Sequence, residues 1–284
     1  MNITLQILHA RTSVRNYLPE ELGADTLAAI SALIHGLGPC PFGTHPRFAL
    51  SGKEIEADKT RGAIGTYGVI KGAPAYIVGC ARSEPWAFVD YGYAMEGLIL
   101  GATALGLGSC WLGGIFNRGA AGKALGLGEG EVVPAISPVG RASGRGSLAE
   151  RIIRGAAGSA RRKPWSELFF AGDWATPLSE EGAGVWTAVL EALRAGPSAS
   201  NKQPWRAVLA RSAGATALHL YLKEDAAYTR AIPGVLLQDM DAGIAMRHVE
   251  VACAELSVPG SWKRLASDPV PGPAPLRYIA SWIA

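Results

Sequence analysis

Apolar positions recur at helical spacing from Thr26 to Leu37, and the pattern stops at Gly36-Leu37-Gly38-Pro39, where glycine and proline end a helix. Short apolar runs bounded by proline and glycine follow. Phe48–Leu50, Pro74–Gly79 and Pro134–Val139 each predict a strand. The longest uncharged stretch, Gly97 to Phe116, is about as long as a bilayer crossing requires. It also holds Gly97-x-x-x-Gly101, the small-residue spacing of close helix pairs. Gly106-Leu107-Gly108 should nevertheless stop a helix mid-run, Gly113-Gly114 breaks the remainder, and Asp90 and Glu96 lie just upstream. The pattern therefore predicts one buried helix from Val89 to Leu107, a turn and a short extended segment. Farther on it predicts a helix at Ala183–Ala195, a strand at Trp205–Ala210, a second buried helix at Gly243–Leu256 and a terminal strand at Leu276–Ile283. Mixed strands and long apolar helices imply an α+β sandwich.

The pattern repeats. Asp90-Tyr-Gly-Tyr-Ala-Met95 matches Asp241-Ala-Gly-Ile-Ala-Met246, and in the same register Leu105 meets Leu256 and Trp111 meets Trp262. A nearby offset pairs Gly38-Pro39 with Gly196-Pro197, Pro46 with Pro204 and Pro19 with Pro177. Two related halves are expected, 1–160 and 161–284. The small, basic stretch Gly155–Lys163 reads as the linker between them.

Composition narrows the class. With 49% hydrophobic and 18% charged residues, the chain is globular with a sizeable interior. A formal net charge of +3 with no basic stripe argues against nucleic-acid partners. Cys40, Cys80, Cys110 and Cys253 lie far apart with no CxxC, which reads as free thiols in a reducing, cytoplasmic setting. The N-terminus shows no signal-peptide pattern, and no membrane partner is expected.

Two segments carry candidate chemistry. Arg11-Thr12-Ser13-Val14-Arg15 offers guanidinium and hydroxyl donors that suit a phosphate. Pro197-Ser198-Ala199-Ser200-Asn201-Lys202-Gln203-Pro204-Trp205 is a small polar loop that suits the ring edges of an aromatic ligand in a close-packed slot. Each has a plainer reading: a solvated face for the arginines, a helix-ending turn for the loop. The repeat makes them informative together. The first aligns with Phe169–Asp173, which has lost its arginines and hydroxyls, and the second with Pro39–Gly43, which has lost its hydroxyls and amide. One complete site split across the halves, with a dead twin, is the expectation. Gly106-x-Gly108-x-x-Trp111 lacks the third glycine of a dinucleotide fingerprint, the five histidines show no metal spacing, and no Gly-x-Ser-x-Gly elbow occurs.

Arg11–Arg15 followed by Tyr17, the Pro-Ser-x-x-Asn-x-Gln-Pro-Trp loop, and Gly106-Leu-Gly-Ser-Cys-Trp-Leu-Gly-Gly114 together resemble the nitroreductase family of flavoproteins, in particular its fused, single-chain members. The resemblance implies a nitroreductase-like fold, an internal pseudo-dimer, and FMN bound at the seam. Arg11, Thr12, Ser13 and Arg15 would hold its phosphate and nearby ribityl oxygens. Lys71 would approach the pyrimidine edge, and Arg141 or Arg145 would complete the clamp. Pro197, Ser198, Ala199, Ser200 and Asn201, with Gln203 behind, would face the ring, with Leu112 and Gly113 near N5 and O4. NADH or NADPH would donate hydride, and a small electron-poor acceptor such as a nitroaromatic or quinone would take it, with no catalytic side chain required. A non-enzymatic FMN-binding carrier or redox-sensing module is the alternative. A monomer, or a weak homo-oligomer, is expected because a fused pseudo-dimer has buried its partner surface.

Overall fold

The structure, a computed structural model, describes residues 3–52, 70–114, 116–144, 161–212, 214–229 and 234–283. The first half contributes helices α1 (Leu5–Ala10) and α2 (Ala24–His35), strands β1 (Arg47–Ser51) and β2 (Ala75–Arg82), and the long helix α3 (Ala87–Ala104). Then come β3 (Gly108–Ser109), α4 (Arg118–Leu125), β4 (Glu131–Val132) and β5 (Ile136–Gly140). The second half contributes α5 (Trp165–Leu168), β6 (Phe169–Ala171), α6 (Glu180–Ala183), α7 (Trp186–Ala195), β7 (Trp205–Ser212) and β8 (Ala215–Lys223). It ends with α8 (Ala226–Thr229), the long helix α9 (Leu237–Glu255), β9 (Ser261–Lys263) and β10 (Leu276–Ile283).

Each half builds one five-stranded sheet. The first runs β1-β2-β5-β3 with β4 also on β2; the second runs β6-β7-β8-β10-β9. All pairs are antiparallel except β6 with β7. Between the sheets lie α3 and α9, buried on nearly all sides, α3 mostly apolar and α9 carrying buried polar groups, Gln238, Asp239, Asp241 and His248, among its apolar residues. They cross at the glycines that the repeat matched. A Cβ on Gly92 would sit 2.2 Å from the carbonyl oxygen of Met240, and one on Gly243 1.9 Å from that of Val89. Only glycine permits that backbone approach. The core interlocks the halves: Val89, Tyr93 and Leu100 pack in the second half's cluster, and Val235 and Met240 in the first half's.

Two sequence expectations need correction. The helix expected at Ala183–Ala195 is two helices, because Gly184 between them takes φ +60°. The second buried helix starts at Leu237, not Gly243. The expected boundary at 160/161, most of the linker and Arg145 fall on residues 145–160, outside the described residues. No described helix is long and apolar enough to cross a membrane. None of the four cysteines forms a disulfide; Cys40 is half-buried and the others buried.

Candidate functional site

The N-terminal motif is laid along the first sheet by backbone hydrogen bonds. Helix α1 ends at Arg11, which turns extended, with φ −61° and ψ 120°. Val14 N–H then donates to Ser109 O at 2.8 Å, Lys71 N–H to Arg15 O at 2.8 Å, Tyr17 N–H to Lys71 O at 2.8 Å and Leu18 N–H to Arg141 O at 2.9 Å. Tyr17 is buried and its hydroxyl donates back to Val14 O at 2.6 Å, closing the turn. Val14 packs on Gly108, where any Cβ would lie 2.8 Å from it. Alternation along an extended segment puts Arg11, Ser13 and Arg15 on the opposite face from Val14. The motif, Lys71, Arg141 and the segment before Leu112 are thus brought together by one sheet edge.

Buried donors stand out here. Arg11 Nε and Nη1, Arg15 Nη1 and Ser109 Oγ are buried and have no hydrogen-bond partner among the described residues. The Arg11 side chain is only 7% exposed. Unsatisfied buried guanidinium N–H groups are costly, and their natural complement is an oxyanion. Thr12 and Lys71 are exposed, and Arg141 is exposed and pairs with Glu20 at 3.6 Å. The Leu112 N–H is committed to Ile136 O at 2.9 Å, which leaves it unavailable to a ligand.

The second-half loop is held by its own polar groups. Asp241 on α9 accepts from Ala199 N–H at 2.9 Å, and Ser198 Oγ accepts from Gln203 N–H at 2.9 Å. Ser200, Asn201 and Gln203 all take positive φ. Gln203 is buried; its Oε1 accepts from Lys163 N–H at 2.9 Å, and its Nε2 donates to Arg161 O at 3.3 Å and Asn201 O at 3.2 Å. Asn201 Nδ2 donates to Arg161 O at 2.9 Å, and Asn201 Oδ1 accepts from Arg162 Nη1 at 3.2 Å. Gln203 and Asn201 therefore latch the loop to residues 161–163, and Ser200 is its exposed tip. Asp90 does for the twin loop what Asp241 does here, accepting from Phe42 N–H at 3.0 Å and from Thr44 N–H and Oγ1 at 2.9 Å. Burial raises the pKa of both aspartates, against the pull of these hydrogen bonds.

Arg162, in the stretch expected to be a linker, ties the second-half loop to α7. It holds Asn201 Oδ1 and Ala195 O, the latter at 3.0 Å. Burial lowers its pKa, and the charges of Arg11 and then Arg194 push the same way, so it lies within electrostatic reach of the clamp.

The chain matches the family model described as "Putative TM nitroreductase" over residues 3–253. It belongs to that family. Membership supports a general flavin oxidoreductase role. A putative nitroreductase of Thermotoga maritima shares the fold, with a TM-score of 0.59 at 17% identity over 100% of this chain and 93% of that one. A nitroreductase with bound FMN from Bacteroides fragilis aligns at 25% identity over 52% of this chain and 92% of its own, with a TM-score of 0.40. No curated protein matches the chain.

Two further features of the chain went unread in sequence. The first is Glu96 on α3, fully buried. It accepts from Trp111 Nε1 at 2.6 Å, contacts His248 Nε2 of α9 at 3.0 Å, and lies 3.9 Å from Arg11 Nε. A charge in an apolar helical run was the available signal. The second lies at the twin cleft. In the repeat register Gly113 corresponds to Arg264, Leu237 to Trp86 and Ser200 to Phe42. Leu237 packs 3.1 Å from where a Gly113 Cβ would be. At the twin, the Arg264 guanidinium lies over Trp86 at 4.2 Å, and Trp86 stacks on Phe42 at 4.9 Å. The twin is filled with side chains where the first cleft has glycine and serine. Among the described residues no group of His, Cys, Asp and Glu could hold a metal.

Proposed function

We propose that the chain is an FMN-dependent oxidoreductase using NADH or NADPH and passing hydride to a small electron-poor acceptor, with one flavin site at the seam between residues 1–160 and 161–284. The observation that carries this reading is the set of buried, unpartnered donors on Arg11 and Arg15 in a chain of this family. They fit a phosphate: guanidinium N–H groups answer its oxygens, and Ser13 and Ser109 can add hydroxyls. FMN, when bound, supplies the hydride acceptance and donation. The chain's own part is to bind and orient. Arg11 and Arg15 fix the phosphate end, the latched Pro197–Asn201 loop forms a wall from the other half, and Gly113 keeps the ring side open for want of a side chain. Lys71 and Arg141, exposed at the mouth, add positive charge that favours anionic ligands on approach.

The test is anaerobic mixing of FMN-loaded protein with NADH and with NADPH, followed by a quinone. Bleaching and recovery of the yellow colour are expected. Yellow protein that neither nicotinamide bleaches would make the chain a carrier or sensor, and protein that takes up no FMN would end the reading. Arg11→Ala should weaken FMN binding by about 1.5–3 kcal/mol while altering hydride transfer in the residual complex far less.

A further inference from the structure

The surroundings of Glu96 permit a count of charge. His248 Nδ1 lies 2.8 Å from Ala192 O, so that nitrogen carries a hydrogen, since a carbonyl only accepts. His248 Nε2 lies 3.0 Å from Glu96 Oε1, and a hydrogen bond there requires one more proton, on the imidazole or on the carboxyl group. In either arrangement the Glu96–His248 pair is neutral as a unit. The other carboxylate oxygen is occupied by the Trp111 indole N–H. Arg11 Nε, 3.9 Å from Oε1, is too far for a hydrogen bond. It faces a neutral pair and keeps its charge and its donors.

We propose that His248 is a positioning residue for the anion subsite: by sharing a proton with Glu96 it stops that carboxylate from neutralising Arg11, and so reserves the guanidinium for a phosphate. Glu96 and His248 lie on the two central helices, so the device is built from both halves. It has no twin. In the repeat register Glu96 corresponds to Arg247 and His248 to Gly97, and Arg247 instead stacks over Tyr93 at 3.6 Å. The identity of the ligand rests on the flavin reading above; the charge logic does not.

The measurement is the affinity for FMN and for riboflavin, which lacks the phosphate, in the wild type, His248→Gln, Glu96→Gln and the double variant. In His248→Gln the carboxylate loses its shared proton and turns its charge on Arg11. FMN binding should weaken about tenfold and riboflavin binding by less than about twofold. In Glu96→Gln, a neutral His248 faces a neutral amide, and FMN affinity should stay within about threefold of wild type. The double variant is again neutral at the pair and should recover the affinity lost in His248→Gln. Equal losses for both flavins, or a double variant worse than His248→Gln, would overturn the proposal, since that is how a purely structural pair behaves. Should His248→Gln not fold, Glu96→Gln and the double variant decide, and a tenfold loss of FMN affinity in either rejects the idea. Should the wild type bind neither flavin, the flavin reading falls and inorganic phosphate replaces it as probe. Phosphate should then raise the Tm of the wild type and the double variant more than that of His248→Gln, and an equal rise in all four would end the proposal.

Discussion

Arg11 is held 93% out of solvent with two N–H positions that nothing among the described residues answers. Folding bears the desolvation of that guanidinium, and a bound anion offsets it. Without ligand, therefore, the residue works against the fold. Arg11→Met should raise the stability of the ligand-free protein by about 1 kcal/mol in urea denaturation, while reducing the stabilisation that a fixed FMN concentration gives the wild type. Lower stability in both states would mean that Arg11 is held by contacts of its own. The shared face of Arg11, Ser13 and Arg15 was legible because it is local: alternate residues of an extended segment lie on one side. Glu96 and His248 were not, because their meaning lies in a contact 152 residues apart across the seam. Arg162 was obscured by its neighbours, since Arg161-Arg162-Lys163 reads as a solvated basic run until Asn201 is placed against it.

The elements show the same division. Helix α3 was legible from its continuous apolarity; of α9 only the stretch from Gly243 was, because Gln238, Asp239 and Asp241 interrupt its first turns, and the glycine matched in each repeat marks where the two cross. Gly243→Ala forces a methyl group onto Val89 O and Tyr93 N and should cost about 3 kcal/mol or more, with Gly92→Ala similar. Gly97→Ala is the control, since its Cβ would meet only the Arg247 side chain at 3.3 Å, and guanidine denaturation of the three separates them. Strand β8 went unread although Leu218, Leu220 and Leu222 alternate with His219 and Tyr221. Both faces of β8 are buried, the second against the Tyr221–Tyr278 cluster, so the usual polar face is missing. A polar contact at the far edge of the first sheet sets an acid limb. Glu131 accepts from Arg47 Nε at 3.1 Å and from Gly128 N–H at 2.7 Å, and these bonds, the Arg47 bond first, lower its pKa to about 2. A depressed carboxylate pKa gives stability that is present above the unfolded value and lost as pH falls toward the folded one. Glu131→Gln should cost about 1 kcal/mol at pH 7 and less than half of that at pH 2.5, as read from urea midpoints. A loss independent of pH would mean that the carboxylate's charge has no part in tying β4 to β1.

At the scale of the whole molecule, two related halves have parted in chemistry. Of the two corresponding clefts among the described residues, one carries the unpartnered donors of Arg11 and Arg15. The other has Phe169–Asp173 at the aligned positions and is filled by the Phe42–Trp86–Arg264 stack. Arg264 is fixed there, donating to Tyr278 O at 3.0 Å and Ile279 O at 2.7 Å. The stack fills that cleft with the protein's own side chains and staples the first half's loop to the second half's β10. Titration should give one FMN per chain. Trp86→Leu, which installs the residue of the intact cleft, should cost about 1–2 kcal/mol of stability through lost stacking and cation–π contact, and should still leave one FMN per chain. The reason is electrostatic: emptying the ring space does not restore a phosphate clamp, and an uncompensated phosphate beside Asp173 is repelled. A second equivalent of FMN, in the wild type or in Trp86→Leu, would show that the clamp is dispensable and that the asymmetry between Arg11–Arg15 and Phe169–Asp173 does not set where the cofactor goes.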